Sequence, residues 1–341
     1  MNSLYEITKE LCTARGVSGR ERACAETAVR LLKPFAPDAE YRGGNVIAHI
    51  GRNPQKPVLM LCAHLDQVGF LVTDITPDGF LRIGAVGGID RRLLLGQAVT
   101  VMGSEPMQGV ISILPPHLLQ GEQAVPEFGS LCVDLGFADA ESLSGKVQRG
   151  DAVYFDAPCR QLNGSRMTAP ALDDRCGIAA VIAAAEQISK APALPCNVVI
   201  AFVNQEERSG HRGAKTAAFA ERPDYAIAVD VTFGTAHGES PQETFQLGSG
   251  PAIGISSVLD QQLSDALIGT AESEKIPYQL EIMPESTGTD ADMLALSPSG
   301  CAAGTVSIPL RYMHTPAEVI DLGDVQQTAR LLAAYAGRCG K

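Results

Sequence analysis

The chain has 341 residues, a formal net charge of −12 and nine cysteines. Its length allows a large core and one to three domains, and its acidity argues against a nucleic-acid partner, because phosphate contacts require a basic face. The cysteines are odd in number and form no CxxC pair, which favours reduced thiols over a disulfide framework.

The N-terminal segment does not resemble an export signal. MNSLYEITKEL has no basic region followed by an apolar stretch, and the longest apolar runs elsewhere, such as IAAVIAAA, are far shorter than a membrane span. We therefore expect a cytoplasmic protein without a membrane partner.

The first predicted elements are two helices and two strands. Residues 3–34 are expected to form the helices, separated by the turn RGVSGRE, in which Ser18 and Glu21 have the spacing of a capping box. Short strands are predicted near 45–49 and 58–63. The second of these is strongly apolar, which is typical of a buried strand.

The residue pattern changes after the second predicted strand. Short alternating runs punctuated by Gly, Pro and Asp, such as FLVTDI, FLRIGAV and AVTVMG, indicate a small antiparallel barrel or sandwich. We therefore divide the chain into an α/β domain, residues 1–67 and 164–341, and an inserted β domain, residues 68–163.

Alternation of helices and strands returns after the insert. The predicted elements are a helix at 174–190, a strand at 197–204, a helix at 213–220, a strand at 225–231, a helix at 261–275, a strand at 305–311 and a helix at 324–336. Strands of this apolar kind, rich in Val, Ile and Leu, are typical of a mostly parallel sheet flanked by helices.

Three of the apolar runs end in acidic or imidazole side chains. PVLMLCAHLD ends on His64 and Asp66, NVVIAFVNQEE on Glu206 and Glu207, and DYAIAVDVT near Asp230. Ligands of open α/β sheets bind beyond the carboxyl ends of the strands. These groups would therefore meet in one place, which indicates a divalent-metal hydrolase.

Each pair also has a purely structural interpretation. His64 and Asp66 would share a strand face, as a ligand and its orienting partner or as a buried histidine with a structural aspartate. Glu206 and Glu207 can face one site only where the strand ends. There they could divide metal binding and general base catalysis, or form a solvated surface pair.

Further candidates lie in ALDDRCG and SIPLRYMHTPAEV. Asp173 or Asp174 could cap the following helix, whereas one carboxylate could also bridge two metal ions. Asp230 would be costly in its apolar strand without a partner, and His314 follows another apolar strand. The remaining histidines are expected to be ordinary loop or surface residues, with His211 notable for its closeness to Glu207: His49, His117, His211 and His237.

The segments AHLDQVGF, ALDDRCG, NQEE, AVDVT, GSGP, TGTDA and RYMHTPAEV occur in the order found in the tetrahedral dinuclear-metal aminopeptidases. The chain resembles this family, which includes glutamyl and deblocking aminopeptidases and members labelled cellulase or endoglucanase, over nearly its whole length. The resemblance implies a zinc-peptidase-like α/β domain. It also implies a dodecamer built from dimers, with the β insert mediating subunit pairing.

The resemblance further implies two divalent ions in each subunit, zinc or cobalt, with manganese also compatible. One ion would be held by His64, Asp173 and Asp230, and the other by Asp173, Glu207 and His314.

The same resemblance assigns roles around the ions. Glu206 would be the general base, Asp66 the partner of His64, and the peptide bond between Asp173 and Asp174 would be cis. The chain departs from the family where EERSGHRGA has one residue more than the usual Glu-Glu-Val-Gly-Leu-Arg-Gly-Ala, so that a register shift would put Gln205 in place of the base.

Two further departures concern charge and size: Arg208 directly follows the glutamate pair, and Thr287 replaces a usual glycine.

The sequence thus predicts a metal-dependent aminopeptidase that removes N-terminal residues from short peptides with a free amine, using a water molecule activated by two ions. A related amidohydrolase, either an N-acyl amino acid deacylase or a dipeptidase, could use the same ligands. Paired carboxylates could instead hydrolyse glycosides without a metal, and a non-catalytic assembly protein could keep the fold but not the ions.

Overall fold

The computed structural model describes residues 3–112, 125–208, 210–238, 240, 243–297 and 300–340. His117 lies outside these residues. The helices are α1 (Leu4–Thr13), α2 (Arg22–Leu32), α3 (Leu172–Ser189), α4 (Arg212–Glu221), α5 (Gln261–Glu274), α6 (Ala291–Ala295) and α7 (Leu322–Ala336).

The strands are β1 (Glu40–Arg42), β2 (Asn45–Ile50), β3 (Val58–His64), β4 (Gly69–Ile75), β5 (Leu81–Val86), β6 (Ala98–Met102), β7 (Pro106–Ile111), β8 (Cys132–Asp134), β9 (Ala152–Phe155), β10 (Arg160–Gln161), β11 (Arg166–Ala169), β12 (Asn197–Val203), β13 (Tyr225–Phe233), β14 (Ala252–Ser256), β15 (Gln279–Met283), β16 (Ala302–Arg311) and β17 (Glu318–Asp321).

The main sheet is mixed, with its parallel strands at the centre. Its order is β1-β2-β12-β3-β13-β16-β17-β11-β10, and β14 joins β16 to β15. Strands β12, β3, β13 and β16 run parallel. Their outer neighbours β2, β14 and β17 pair with them antiparallel, and β15 runs parallel to β14. The apolar sequences of the central strands suit this position, because parallel strands are covered on both faces.

Helices cover both faces of this sheet. Leu59 and Leu61 of β3 pack into a core with α1, α2, α3, α5 and α7, whereas Met60 and Cys62 pack into a second core with α4 and α6. This division follows from the two-residue period of a strand, which sends neighbouring side chains to opposite faces. The predicted α/β fold with flanking helices is confirmed.

The insert forms a closed barrel with the strand order β4-β5-β8-β7-β6-β9. Its core is apolar, and the rings of Phe70 and Phe155 meet edge to face with centroids 5.4 Å apart. Closure pairs the backbone groups that an open sheet edge would leave exposed. The predicted barrel-like β insert is confirmed.

One local prediction is wrong: Ser18 and Glu21 do not form a capping box. Helix α2 begins at Arg22, and Glu21 at its N-cap makes no side-chain capping bond. The Ser18 hydroxyl instead donates to the Asp66 carboxylate, and the Glu21 carboxylate accepts from the backbone N–H of Gly19. A long-range partner thus competes successfully with the local cap.

Two further observations concern the cysteines and the helices. All nine cysteines are free thiols. Among the described helices, none combines the length and apolarity needed to cross a bilayer.

Candidate metal centre

The carboxyl ends of the central strands carry the candidate ligands. His64 is the last residue of β3, and it lies in register with Val203, the last residue of β12. Asp230 does not lie at the end of its strand, because β13 continues to Phe233 rather than stopping at residue 231. Pairing with β16 extends through Phe233 and holds Asp230 inside the strand.

The structure brings all five predicted ligands together around Asp173. One oxygen, Oδ1, lies 3.0 Å from His64 Nε2, and the other, Oδ2, lies 3.3 Å from His314 Nε2. His64 Nε2 is also 3.8 Å from Asp230 Oδ1, and His314 Nε2 is 3.3 Å from Glu207 Oε2. Asp173 therefore stands between two half-sites, each with its own histidine and a second carboxylate.

The neighbouring aspartates of ALDDRCG have different environments. The bond between Asp173 and Asp174 is cis, as the family resemblance predicts. Asp174 accepts hydrogen bonds from the backbone N–H groups of Gly177 and His64, at 3.0 and 3.1 Å. Asp174 also lies among potential metal-ligating atoms. Its oxygens are engaged by the backbone in the manner of a helix cap, however, whereas those of Asp173 face the histidines.

Asp66 orders the loops around the centre. Its main-chain oxygen lies 3.0 Å from His64 Nδ1, whereas its carboxylate is 3.7 Å from that nitrogen. The two carboxylate oxygens accept the backbone N–H groups of Glu206 and Glu207, each at 3.0 Å. One buried aspartate therefore fixes both the imidazole and the turn that carries the two glutamates.

Both glutamates face the same cavity because the strand ends before them. Gln205 has a φ of 59°, in the left-handed region, which breaks the alternation of β12. The cavity lining includes Glu206 and Glu207 but not Gln205. Both glutamates of the EERSGHRGA segment thus lie at the cavity.

Burial and like charges shift the titration of these carboxyls. Burial raises the pKa of Asp230 to about 7 and that of Glu206 to about 9, and neighbouring carboxylates add to both shifts. Burial acts on Asp173 in the same direction, but hydrogen bonds from His314 and His64 lower the pKa of its carboxyl. The centre holds more negative charge than its histidines neutralise.

Three residues that the sequence analysis did not select support the centre. His211 lies 3.2 Å from Asp290 Oδ1 and 3.5 Å from Glu206 Oε1, so it is a site residue rather than an ordinary loop histidine. Asp290 lies in TGTDA, one of the segments on which the family resemblance rests, and this segment is the feature of the sequence that could have identified it. Glu318, in RYMHTPAEV, accepts the backbone N–H groups of Asp173 and His314.

The other described histidines lie elsewhere. His49 is bound between Asp38 and Glu221, at 2.9 Å from each, and His237 is exposed. Neither belongs to the cavity lining.

The ligands open onto a cavity of about 380 Å³. The barrel contributes to its wall through Gly88, whose carbonyl oxygen lies 2.7 Å from His314 Nδ1. Arg208 and Thr287, the two departures from the family pattern, also line it, and the Thr287 hydroxyl donates to Asp292. The cavity thus combines a carboxylate-rich floor with walls from both parts of the chain.

Comparison with known proteins gives consistent results. The model of the M42 glutamyl aminopeptidase family matches residues 44–331. The lysyl aminopeptidase of Pyrococcus furiosus is 33% identical, over 97% of this chain and 96% of that protein.

Solved structures are similar over the same extent. An aminopeptidase from the archaeon Desulfurococcus kamchatkensis is 34% identical with a TM-score of 0.92, over 98% of this chain and 95% of that one. The TET1 peptidase of Pyrococcus horikoshii, described as assembling into a tetrahedron or a large octahedral shell, is 32% identical with a TM-score of 0.86. That match covers 98% of this chain and 99% of the other.

Proposed function

Because the chain belongs to the M42 glutamyl aminopeptidase family and is a metal-dependent aminopeptidase, we propose that its central cluster holds two divalent ions. His64, Asp173 and Asp230 bind one ion, and Asp173, Glu207 and His314 bind the other. The observation that carries this assignment is the division of Asp173, whose two oxygens each face a different histidine.

The donor set fits such ions. Glu207 Oε1 is buried and has no hydrogen-bond partner among the residues that the structure describes, which is costly unless a cation binds there. Imidazole nitrogen together with carboxylate oxygen suits zinc and cobalt, and manganese is compatible. Bound cations would also offset the repulsion that raises the pKa values of Asp230 and Glu206.

Bound ions of this kind acidify a water molecule and polarise the scissile carbonyl. Residues of the chain then transfer the proton and position the reacting groups. Glu206 lines the cavity beside the ligands, and we assign it the base that accepts a proton from the attacking water and returns it to the leaving amine. His211 is anchored by Asp290 and lies against the Glu206 carboxyl, so it orients this base.

Asp66 is the positioning residue of the same centre. Its carboxylate holds the backbone of Glu206 and Glu207, so the base and one ligand keep a fixed separation. Its main-chain oxygen fixes the orientation of the His64 ring. The substrates are short peptides with a free N-terminus, whose positive charge suits the acidic cavity.

The chain is further proposed to assemble into a dodecamer built from dimers, with residues 68–163 as the pairing domain beside the catalytic part, 1–67 and 164–341. Support comes from the related TET1 peptidase and from apolar side chains exposed on the barrel. Leu95, Val110 and Val125 are 38%, 43% and 41% exposed. A monomeric or dimeric mass in analytical ultracentrifugation would contradict this assembly.

A cytoplasmic location is also proposed. The nine free thiols support it, because unpaired cysteines suit a reducing compartment.

The test of function is hydrolysis of free and N-acetylated aminoacyl p-nitroanilides, with zinc, cobalt or manganese added and with a chelator control. Cleavage restricted to free amines, lost with chelator and restored by metal, is expected. Release of acetate from the acetylated series, without release of nitroaniline, would instead establish a deacylase. Metal analysis of the same preparation is expected to give two ions per subunit.

A further inference from the structure

One carboxylate of the cavity lies outside the proposed ligand set. Glu281, on strand β15, lines the same cavity as the metal ligands. Its Oε2 atom is buried and has no hydrogen-bond partner among the described residues. A buried carboxylate oxygen without a donor is unfavourable, so this atom is ready to accept a bond from a bound molecule.

Hydroxyl groups hold the Glu281 carboxyl in place. The Thr232 hydroxyl donates to its Oε1 atom. Burial raises the pKa of the Glu281 carboxyl, whereas the Thr232 and Ser307 hydroxyls beside it act in the opposite direction and favour the ionised form. The carboxyl is thus oriented by neutral donors and keeps capacity for a cation.

The cationic side chains that line the cavity do not neutralise the Glu281 carboxylate. Within the described part of the chain, none of the ion pairs includes Glu281. His211 is paired with Asp290 and Glu206, and Arg208 is exposed on the cavity wall. The Glu281 carboxylate thus has no cationic side chain as a partner among the described residues, and a cationic group of a bound substrate can pair with it.

The strand geometry relates this carboxyl to the metal centre. Thr232 follows the ligand Asp230 by two residues on β13, so the two side chains project from the same face, roughly 6–7 Å apart. Glu281, bonded to Thr232, is displaced from the ligand cluster along this face. The four-carbon stem of a lysine carries its ammonium over a separation of this kind.

We propose that Glu281 selects peptides whose N-terminal residue has a cationic side chain, lysine or arginine, and disfavours those that begin with glutamate or aspartate. This inference rests on the proposed function, which places the N-terminal amine and the scissile bond at the ligand cluster. The side chain of the first residue then extends along β13 to Glu281.

The test compares anilides that differ in charge but little in shape. Lysyl and norleucyl p-nitroanilides share an unbranched four-carbon chain, and only the first carries an ammonium. The glutamyl anilide supplies the opposite charge. Each is assayed with the wild-type protein, Glu281→Gln and Glu285→Gln, all loaded with the same metal. Glu285 is exposed and lies outside the cavity lining, so its variant is a matched control for loss of one negative charge.

The wild-type protein is expected to favour the lysyl over the norleucyl anilide in kcat/KM by about 10- to 100-fold, the range for a hydrogen bond to a charged group. Glu281→Gln, which keeps an acceptor for Thr232, should abolish most of this preference and relieve the discrimination against the glutamyl anilide. Glu285→Gln should keep the wild-type ratios. Equal rates for lysyl and norleucyl anilides, or an unchanged ratio in Glu281→Gln, would overturn the proposal.

A binding measurement separates this proposal from the proposed function. L-lysine should raise the unfolding temperature of the metal-loaded protein more than L-norleucine at the same concentration, and Glu281→Gln should remove the difference. If no anilide is cleaved, the peptidase assignment fails, and the lysine-specific shift then decides separately whether Glu281 binds a cation. Cleavage without a charge preference leaves the peptidase assignment standing and refutes the role of Glu281.

Discussion

The barrel and the edge of the central sheet bury their side chains for different purposes. The barrel core is filled by apolar groups such as Phe70 and Phe155, whose contacts stabilise the fold directly. The sheet edge places the side chains of Asp173, Glu207 and Asp230 close together and almost out of contact with solvent, and their mutual repulsion opposes folding. The carboxylate cluster of the metal centre therefore destabilises the fold locally, and bound cations can reverse this loss of stability.

The largest expected effect concerns the base. Glu206→Gln should lower kcat by about 10²- to 10⁴-fold, because the amide cannot accept the proton. The variant should still bind two metal ions per subunit, since Glu206 is not a proposed ligand. Measurement of kcat and metal content tests this, with exposed Glu105→Gln on the barrel as control. Near-normal turnover would show that another group is the base.

A core substitution in the barrel should act on stability alone. Phe70→Ala removes a fully buried ring and is expected to lower the free energy of unfolding by about 3–5 kcal/mol. Urea unfolding at fixed protein concentration measures this. Phe219→Ala on α4, where the ring is 64% exposed, should stay within about 0.5 kcal/mol. A change in metal stoichiometry in Phe70→Ala would disprove the separation of the two regions.

Metal removal should destabilise the sheet edge and leave the barrel core intact. Binding to the folded state alone contributes about 3 kcal/mol at a hundredfold excess of metal over its dissociation constant. Scanning calorimetry should therefore give a lower unfolding temperature with chelator and recovery with added zinc. Asp173→Asn, which weakens both half-sites, should show little gain from zinc. Equal unfolding temperatures with and without metal in the wild-type protein would contradict the proposed ligand set.

The smallest effect is a pH dependence of the metal-free protein. The folded-state pKa of Asp230 is raised to about 7, so the folded state binds more protons than the unfolded chain above the usual carboxyl pKa. The contribution of Asp230 to the free energy of unfolding is then largest below pH 4 and falls as the pH rises towards 7. The expected loss is about 1 kcal/mol between pH 5 and 6.

A matched variant isolates that contribution. Asp230→Asn cannot titrate, so the metal-free variant should show a shallower fall of unfolding free energy than the metal-free wild type. Bound metal should reverse the order of stability, because the variant lacks one ligand. Parallel slopes for the two metal-free proteins would show that Asp230 does not carry the dependence.

The sequence predicted the residues of the centre better than their contacts. His64, Glu206 and Glu207 follow long apolar strands, so their meeting point could be inferred from sheet geometry. The partner of Ser18 could not be inferred in this way. The Asp66 carboxylate, which binds the Ser18 hydroxyl in place of a plausible local cap, is 48 residues away in the sequence. The continuation of β13 past Asp230 was likewise fixed by pairing with β16.

The supporting residues show why some of the site was missed. His211 is separated from Asp290 by 79 residues, so sequence spacing alone predicts an ordinary loop histidine. Glu281 lies on a five-residue strand whose sequence, QLEIM, was too short to be predicted. Its unpartnered oxygen is a property of packing, and neither spacing nor composition indicates it.

The sequence by itself determined the class of fold, the barrel insert, the order of the motifs and the ligand types, because hydrophobic period and residue chemistry are local properties. Only the tertiary structure decided which oxygen faces which histidine, which aspartate is held as a helix cap, and which carboxylate remains unpaired. Those outcomes depend on contacts between residues far apart in the chain, whose geometry is set by the packing of the whole sheet.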